Sequence, residues 1–515
     1  MNRITTYALL CFLFFLGACQ TTQKTAQLAP AAPVELTILQ INDVYEIAPL
    51  EGGKAGGLAR VATVLRELER ENPNTISMLA GDFLSPSFIG SLKLENGDRI
   101  AGLQMVETLN AMGLDYATFG NHEFDNKDPM LLKKRMDASK FLYTSCNAME
   151  VKNGQKGPFM QLWEGKEQPV PEYVIREFSD GKGGKLRVGI IGVVLPFARQ
   201  DFVDYLPVTA TFQATLKKLK PQVDVVLGLT HLDIDDDEKL AAVSPGVLLF
   251  MGGHDHNNMS RYIESTVITK ADANAKTVYI HRITFHPDSK VATLRSSLKT
   301  IDDRIAEDAP TKAVVEKWQA YADKAMVQMG YNPKRILMTA ETPLECTESA
   351  IRSRPTNYGK LAAQSLATAW PGVDVYFLNS GSMRVDDNLS GAITEYDVLR
   401  TFPFAGSVVK MELPGDVLKQ VLDIGLVKNR GEGGYFQITN VEDRGGQWQI
   451  GKELLRSDKT YSVVLPKFVA EGNERNLELF KKYTFQEPPT FALKGATIKN
   501  DIRDIVMYHM TLQGK

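Results

Sequence analysis

The chain has 515 residues and a formal net charge of −3, from 59 basic and 62 acidic side chains. At roughly 100–200 residues per domain, that length calls for two to four domains and rules out a single small core, and the near balance of charge gives no global indication of a surface for a nucleic-acid polymer. Hydrophobic residues at 43% and charged residues at 23% exclude wholesale disorder, and four cysteines exclude a disulfide scaffold.

Arg3 precedes an uncharged apolar run from Tyr7 to Leu16. The run is shorter than the about 20 residues a bilayer-spanning helix needs and fits the apolar stretch of a secretory signal peptide. It ends in Leu16-Gly17-Ala18-Cys19, which resembles a bacterial lipobox. Cleavage before Cys19 would discard residues 1–18 and leave the thiol to carry a lipid anchor. An ordinary signal peptide cut near Ala18 and a buried helix are the other readings. Gln20, where an Asp would retain a lipoprotein at the inner membrane, favours the outer membrane by the same resemblance, facing the periplasm or the cell surface. Residues 19–33, rich in Thr, Gln, Ala and Pro, read as a tether. Cys146 and Cys346 are then left in separate halves of the chain and read as structural thiols.

From Val34 to Ile41 alternation passes into an apolar run, which predicts a strand. Leu58, Val61, Leu65 and Leu68 recur at helical spacing within 57–70; Thr75–Leu79 predicts a strand and Leu103–Met112 a helix. The short β-branched runs Leu186–Leu195, Asp224–Leu229 and Val247–Met251 complete an alternation that argues an α/β layered domain over 34–300. Residues 301–332 read as a linker whose helix begins near Pro310, with Val314, Trp318, Tyr321 and Ala325 on one face. Residues 333–515 mix strands and helices again (helix Leu361–Ala369, strands Val373–Leu378 and Ser407–Leu413) and predict a second α/β domain.

Five segments of the first domain each close an apolar run with oxygen or imidazole donors. They are Asn42-Asp43-Val44-Tyr45, Gly81-Asp82, Gly120-Asn121-His122-Glu123-Phe124-Asp125, Thr230-His231, and Gly253-His254-Asp255-His256. Loops at the carboxyl ends of strands in open α/β sheets converge on one crevice. Asp, Asn and His gathered there suit Zn, Mn, Fe or Co. Four of the seven histidines lie in these segments.

The order of these motifs resembles the calcineurin-like metallophosphoesterases, and more closely the bacterial 5′-nucleotidase/UDP-sugar hydrolase family, over nearly the whole mature chain. The resemblance implies a four-layer α/β/β/α metallophosphoesterase domain, a linker helix and a substrate-binding C-terminal domain. It implies two divalent ions (Zn, Mn, Mg or Co): Asp82 would bridge them, Asp43 and His256 complete one site, and Asn121, His231 and His254 complete the other. Two cations about 4 Å apart would clamp phosphate oxygens for in-line attack. His122 would not be a ligand but would meet the phosphate or leaving oxygen, with Asp125 orienting its ring.

One position departs from the family. Its first motif is Asp-x-His, where this chain has Asp43-Val44-Tyr45. Three readings follow. Tyr45 is not a ligand and the ion is held weakly or with added water; its phenolate ligates a ferric ion; or the site is half-empty and activity is low. Tyrosine ligates iron in the related purple acid phosphatases from another motif, at a place where this chain has Ser85.

In the second half, Asn379-Ser380-Gly381-Ser382-Met383-Arg384 resembles the family segment whose arginine takes substrate phosphate; a guanidinium fork suits that contact. Segments 433–437 (Tyr435, Phe436) and 467–470 (Phe468) resemble the two loops whose aromatics sandwich a nucleobase, with core packing as the alternative for these rings. The family's Gly-Gly-Asp-Gly stretch is replaced by Gly472-Asn473-Glu474-Arg475-Asn476. The expected activity is hydrolysis of nucleotide phosphomonoesters outside the cytoplasm. The alternatives are a phosphodiesterase or pyrophosphatase acting on cyclic nucleotides or UDP-sugars, and a non-catalytic nucleotide-binding surface lipoprotein.

Overall fold

The computed structural model describes residues 32–197 and 200–514. The expected signal peptide, the lipidated Cys19 and most of the tether lie outside the described residues.

Two six-stranded sheets build the first domain. In one, strands Val34–Ile41, Thr75–Ala80, Tyr116–Thr118 and Leu142–Tyr143 run parallel, and Thr277–His286 and Val291–Thr300 extend the edge antiparallel. In the other, Lys185–Val194, Val225–His231, Val247–Gly252 and Thr266–Lys270 run parallel between antiparallel outer strands. The sheets face each other through Leu36, Ile38, Met78, Ala80, Val188, Ile190, Leu227, Leu229 and Met251. Alternate residues of the same strands point outward, as a period of two requires. Leu39, Ile41 and Leu79 meet helices Leu58–Glu71 and Leu103–Met112. Ile191, Val226 and Phe250 meet helices Val208–Leu219 and Ile234–Ala242. Helix, sheet, sheet and helix therefore stack in four layers.

Helix Ala309–Gln328 follows, started by Asp308, whose carboxylate accepts from Thr311 N at 3.1 Å, and by Pro310, which has no N–H to waste there. Its buried face is Thr311, Val315, Trp318, Ala322 and Met326. Of the expected face, Trp318 alone is fully covered, while Val314, Tyr321 and Ala325 sit at its margin. Trp318, common to both faces, is tied to the first domain, its Nε1 donating to Glu107 Oε2 at 2.9 Å.

The second domain is a five-stranded sheet in which Val375–Asn379 and Thr460–Pro466 are central neighbours. Helices Asn357–Ala369 and Ile502–Gln513 pack in the same apolar cluster as the linker helix. That cluster runs without a break from Leu58 of the first domain through Val315 and Met326 to Leu366 and Ile505. A junction closed by apolar packing on this scale holds the two domains in register. Cys146 and Cys346 are buried free thiols, one in each domain.

Candidate metal centre

The five motif segments leave the carboxyl ends of parallel strands and meet at one crevice. Asp43 follows Val34–Ile41, Asp82 follows Thr75–Ala80, Asn121 follows Tyr116–Thr118, His231 ends Val225–His231, and His254 and His256 follow Val247–Gly252. The chain turns sharply at three of these exits, after Val34–Ile41, Thr75–Ala80 and Val247–Gly252. Asp43, Asp82, His254 and His256 have φ of 51°, 58°, 81° and 60°. Non-glycine residues rarely take up that left-handed region, which costs of order 1–3 kcal/mol and clusters where side chains must be aimed. At Gly120 a Cβ would fall on the Asp82 carboxylate, so the two strand ends approach only because that position has no side chain.

Asp82, His231 and His254 bring their ligand atoms within 4.8 Å of one another. His231 is fully buried; its Nδ1–H donates to Ala80 O at 2.8 Å, leaving Nε2 to face Asn121 Oδ1 at 3.2 Å and Asp82 Oδ2 at 3.3 Å. Anchoring one ring nitrogen on a carbonyl fixes which nitrogen is turned to a metal. Burial opposes charge on His231, but the Asp82 carboxylate outweighs it and pushes the ring up to about 10. Burial likewise opposes ionisation of Asp82, and His231 and His122 overcome it and hold the carboxyl well below its usual range. A buried anion among imidazoles with an amide oxygen is a donor set a divalent ion fits.

The half expected to hold the first ion is arranged differently. Tyr45, 4% exposed, donates its hydroxyl to Asp82 Oδ2 at 3.0 Å. The phenol oxygen then accepts from His256 Nε2 at 3.1 Å, and His256 Nδ1 donates to Asp386 Oδ2 of the second domain at 3.0 Å. Burial alone would discharge His256, yet Glu348, Asp386 and Asp43 push it up to about 9. Burial first, then Asp82 and Asp43, push the Tyr45 phenol well above its ordinary value. Asp43 lies 3.6 Å from His256 Nε2 and accepts from His254 N at 2.9 Å and Asn42 Nδ2 at 2.8 Å. The tyrosine oxygen thus stands beside Asp82 and His256, two of the groups expected around the first ion.

His122 and Asp125 form the expected pair, Nδ1 to Oδ2 at 2.8 Å, and Ser85 Oγ donates to the same carboxylate oxygen at 2.8 Å. His122 Nε2 faces Arg384 of the second domain, whose Nη2 is 2.9 Å away. The main chain of His122 donates to Asp82 Oδ1 at 2.8 Å, so the ring is carried on the carboxylate that holds the centre together.

Over residues 36–258 the sequence matches the family described as calcineurin-like phosphoesterase, and over 336–482 the 5′-nucleotidase C-terminal domain. The 5′-nucleotidase of Bos taurus is 25% identical over 518 aligned positions, covering 87% of this chain and 85% of that protein. The 5′-nucleotidase precursor from Thermus thermophilus superposes with a TM-score of 0.73 at 21% identity, covering 93% and 97% of the two chains. The sulfate thiohydrolase SoxB of Thermus thermophilus shares the fold with a TM-score of 0.67 at 15% identity, covering 95% of each chain.

The chain belongs to the 5′-nucleotidase family. It is a 5′-nucleotidase-like metallophosphoesterase, a hydrolase with two α/β domains joined by helix Ala309–Gln328. Because a thiohydrolase shares its architecture, the fold by itself does not select the substrate.

In the family's C-terminal pocket, Asn379 donates to Glu474 Oε2 at 2.8 Å, so the altered 472–476 loop still sets a carboxylate beside this segment. Gly381 N donates to Gly433 O at 2.7 Å, laying the two loops side by side. Phe436 corrects an expectation. Its ring is fully buried and stacked on Phe377 with centroids 4.1 Å apart, so it belongs to the core and not to a base sandwich. Tyr435 is buried too, at 2%, and Phe468, 53% exposed, is the ring of the three that offers a face to solvent.

Three residues that shape the centre were not singled out from sequence. Glu123 accepts from the main-chain N–H groups of Asp82, Phe83, Leu84 and Gly120 at 2.6–3.0 Å, tying two ligand loops together. Burial raises its carboxyl to about 7. Its place inside the Asn-His-Glu motif was the available signal. Lys270 is fully buried and donates to Leu232 O, Gly253 O and Asp237 Oδ2 at 2.6–2.8 Å and to Asp255, beneath the loops that carry His231 and His254. Nothing but tertiary structure brings it there. Asp386 stands two residues beyond Arg384 and turns inward at φ 42°.

Proposed function

We propose that this protein hydrolyses nucleotide 5′-phosphomonoesters outside the cytoplasm, held to a membrane by lipid on Cys19. The observation that carries the reading is the approach of Arg384, from the second domain, to His122 beside the cluster of Asp82, His231 and His254. A substrate phosphate held there meets groups from both domains at once. A cation on Asp82, Asn121, His231 and His254 would supply Lewis-acid polarisation of a phosphoryl oxygen. Arg384, held within reach of Glu348 at 3.7 Å, offers a planar fork to the phosphate. Asp125 keeps the proton on His122 Nδ1, so Nε2 is the atom turned to the reacting group and to the leaving oxygen. Glu123 and Lys270 hold the loops so that these atoms meet without rearrangement.

The nucleotide part of the reading is supported by the C-terminal match and by the mammalian relative's name. Among the described residues no helix is long and apolar enough to cross a membrane. The attachment proposed is the lipid on Cys19. The test is release of phosphate from AMP and p-nitrophenyl phosphate with Mn or Zn, before and after chelation, alongside cyclic nucleotides and UDP-sugars. Chelator-sensitive turnover of AMP above the others supports the proposal. Preference for a diester or pyrophosphate moves the substrate class, and absence of turnover with every metal leaves a binding protein. Incorporation of labelled lipid, lost in Cys19→Ala, tests the anchor.

A further inference from the structure

The second domain reaches the centre through one short segment. Arg384 lies against His122, and two residues later Asp386, 7% exposed, lies against His256. Asp386 immediately precedes strand Asp387–Thr394 and turns inward at φ 42°, in the left-handed region that a non-glycine residue rarely adopts. It is held from both domains. Lys276 of the first domain donates from Nζ to Asp386 O at 2.8 Å, and Glu348 N of the second donates to Asp386 Oδ1 at 2.7 Å. The remaining oxygen, Oδ2, accepts from His256 Nδ1 at 3.0 Å. Glu348 Oε1, the other carboxylate oxygen near that nitrogen, is 3.7 Å away, and Glu348 pairs with Arg352 at 2.7 Å.

The opposite nitrogen of the ring is turned to the centre. His256 Nε2 is 3.1 Å from the Tyr45 oxygen and 3.6 Å from Asp43 Oδ1. Ligands held about 2.0–2.2 Å from one ion stand about 2.8–3.6 Å apart, so these spacings fit a cation shared by His256 and Asp43. A ring that donates through one nitrogen to a carboxylate keeps the lone pair on the other, and the carboxylate makes that nitrogen the stronger ligand. His231 is fixed in this way by Ala80 O, a partner from its own domain. For His256, both acidic groups at Nδ1 come from the second domain.

We infer that Asp386 is a positioning residue of the metal centre: by accepting from Nδ1 it fixes the His256 ring with Nε2 toward Asp43, so that the second domain completes a ligand set otherwise made by the first. Residues 384–386 then serve the site twice, Arg384 at the substrate phosphate and Asp386 at the cation. This inference rests on the phosphoesterase reading only in taking the centre to bind a cation.

The experiment reads metal binding apart from activity. The full chain, freed of metal by chelation, is titrated with Zn by calorimetry and against a chromophoric chelator, and its Co(II) form is followed by visible absorption. Asp386→Ala is expected to weaken Zn binding by about 10–100-fold, the usual worth of the outer partner of a ligand histidine, and to shift the Co(II) bands. Asp386→Asn, which keeps the shape but offers one oxygen to the two donors, should lose less. Arg384→Ala, on the same segment, should bind metal as the wild type does. Unchanged affinity and Co(II) bands in Asp386→Ala overturn the inference. An equal loss of affinity in Arg384→Ala also overturns it, since the effect would then belong to the segment as a whole. Where circular dichroism shows that Asp386→Ala does not fold, Asp386→Asn decides, and affinity and bands equal to the wild type's overturn the inference. AMP turnover, read on the same samples, separates the two claims: metal binding weakened by the Asp386 variants in a protein that turns over no substrate sinks the proposed function and leaves the role of Asp386 standing.

Discussion

Arg384 Nη2 lies 2.9 Å from His122 Nε2, joining a loop of the second domain to the motif that carries the centre of the first. Each residue would touch the same phosphate, so their effects on turnover can be separated by what each does to metal and to binding.

His122→Ala is expected to lower kcat by roughly 10²–10⁴ with metal content unchanged, the range for removing a positioned acid or base. Asp125→Asn should cost less, roughly 10–100-fold, because it disturbs the orientation of a ring that remains. Steady-state kinetics with elemental analysis on the same preparations decides this. A His122→Ala protein that has lost its metal would make His122 a ligand and cancel the assignment.

Arg384→Ala should reduce kcat/KM by roughly ten- to a hundredfold, the worth of a charged hydrogen bond of about 1.5–3 kcal/mol. Arg384→Lys should recover only part of it, since an ammonium cannot make the two parallel contacts of a guanidinium. Full recovery with lysine would mean that position 384 supplies charge alone.

Lys270→Met leaves Asp237 and Asp255 facing each other across a buried space without their cation. Breaking a buried pair by removing one partner costs about 3–5 kcal/mol. Urea unfolding should show that loss, and metal titration should show weaker binding because the His231 and His254 loops lose a shared tether. Unchanged stability would mean that the ammonium is dispensable there.

His281, buried between Gln40 and Ser296, is held neutral, and burial pushes its ring down to about 3. The unfolded chain has an ordinary histidine there, near about 6.5. Between those values the unfolded state binds a proton that the folded state does not, so stability rises with pH. The full contribution is present above about 6.5 and is lost as pH falls toward about 3, by an amount of a few kcal/mol. His281→Gln should flatten that part of the stability–pH curve. An unchanged curve would show that the loss below neutrality belongs to other groups.

Strand and helix positions in the first domain were readable from periodicity because each strand is sandwiched between a facing sheet and a covering helix. Leu103–Met112 forms a helix over the residues read for it, and Val247–Gly252 runs one residue beyond its apolar stretch. Periodicity indicates the linker helix but sets its buried face one position off: Val315, Ala322 and Met326 are covered, with Val314, Tyr321 and Ala325 at the margin. The aromatics of the second domain show the same limit. Tyr435 and Phe436 are adjacent in sequence and both aromatic, and only the stacking of Phe436 on Phe377 assigns that ring to the core.

Sequence alone determined the alternation of strands and helices, the five donor-bearing segments, and the substitution at Tyr45. These are local: spacing, residue chemistry and motif order need no distant partner. Tertiary structure decided what Tyr45 touches, which His256 nitrogen meets Asp386, and that Lys270 lies beneath two ligand loops. Those contacts join residues 15 to 211 positions apart. Their existence depends on how buried polar groups find partners once the layers close, and no pattern along the chain encodes that pairing.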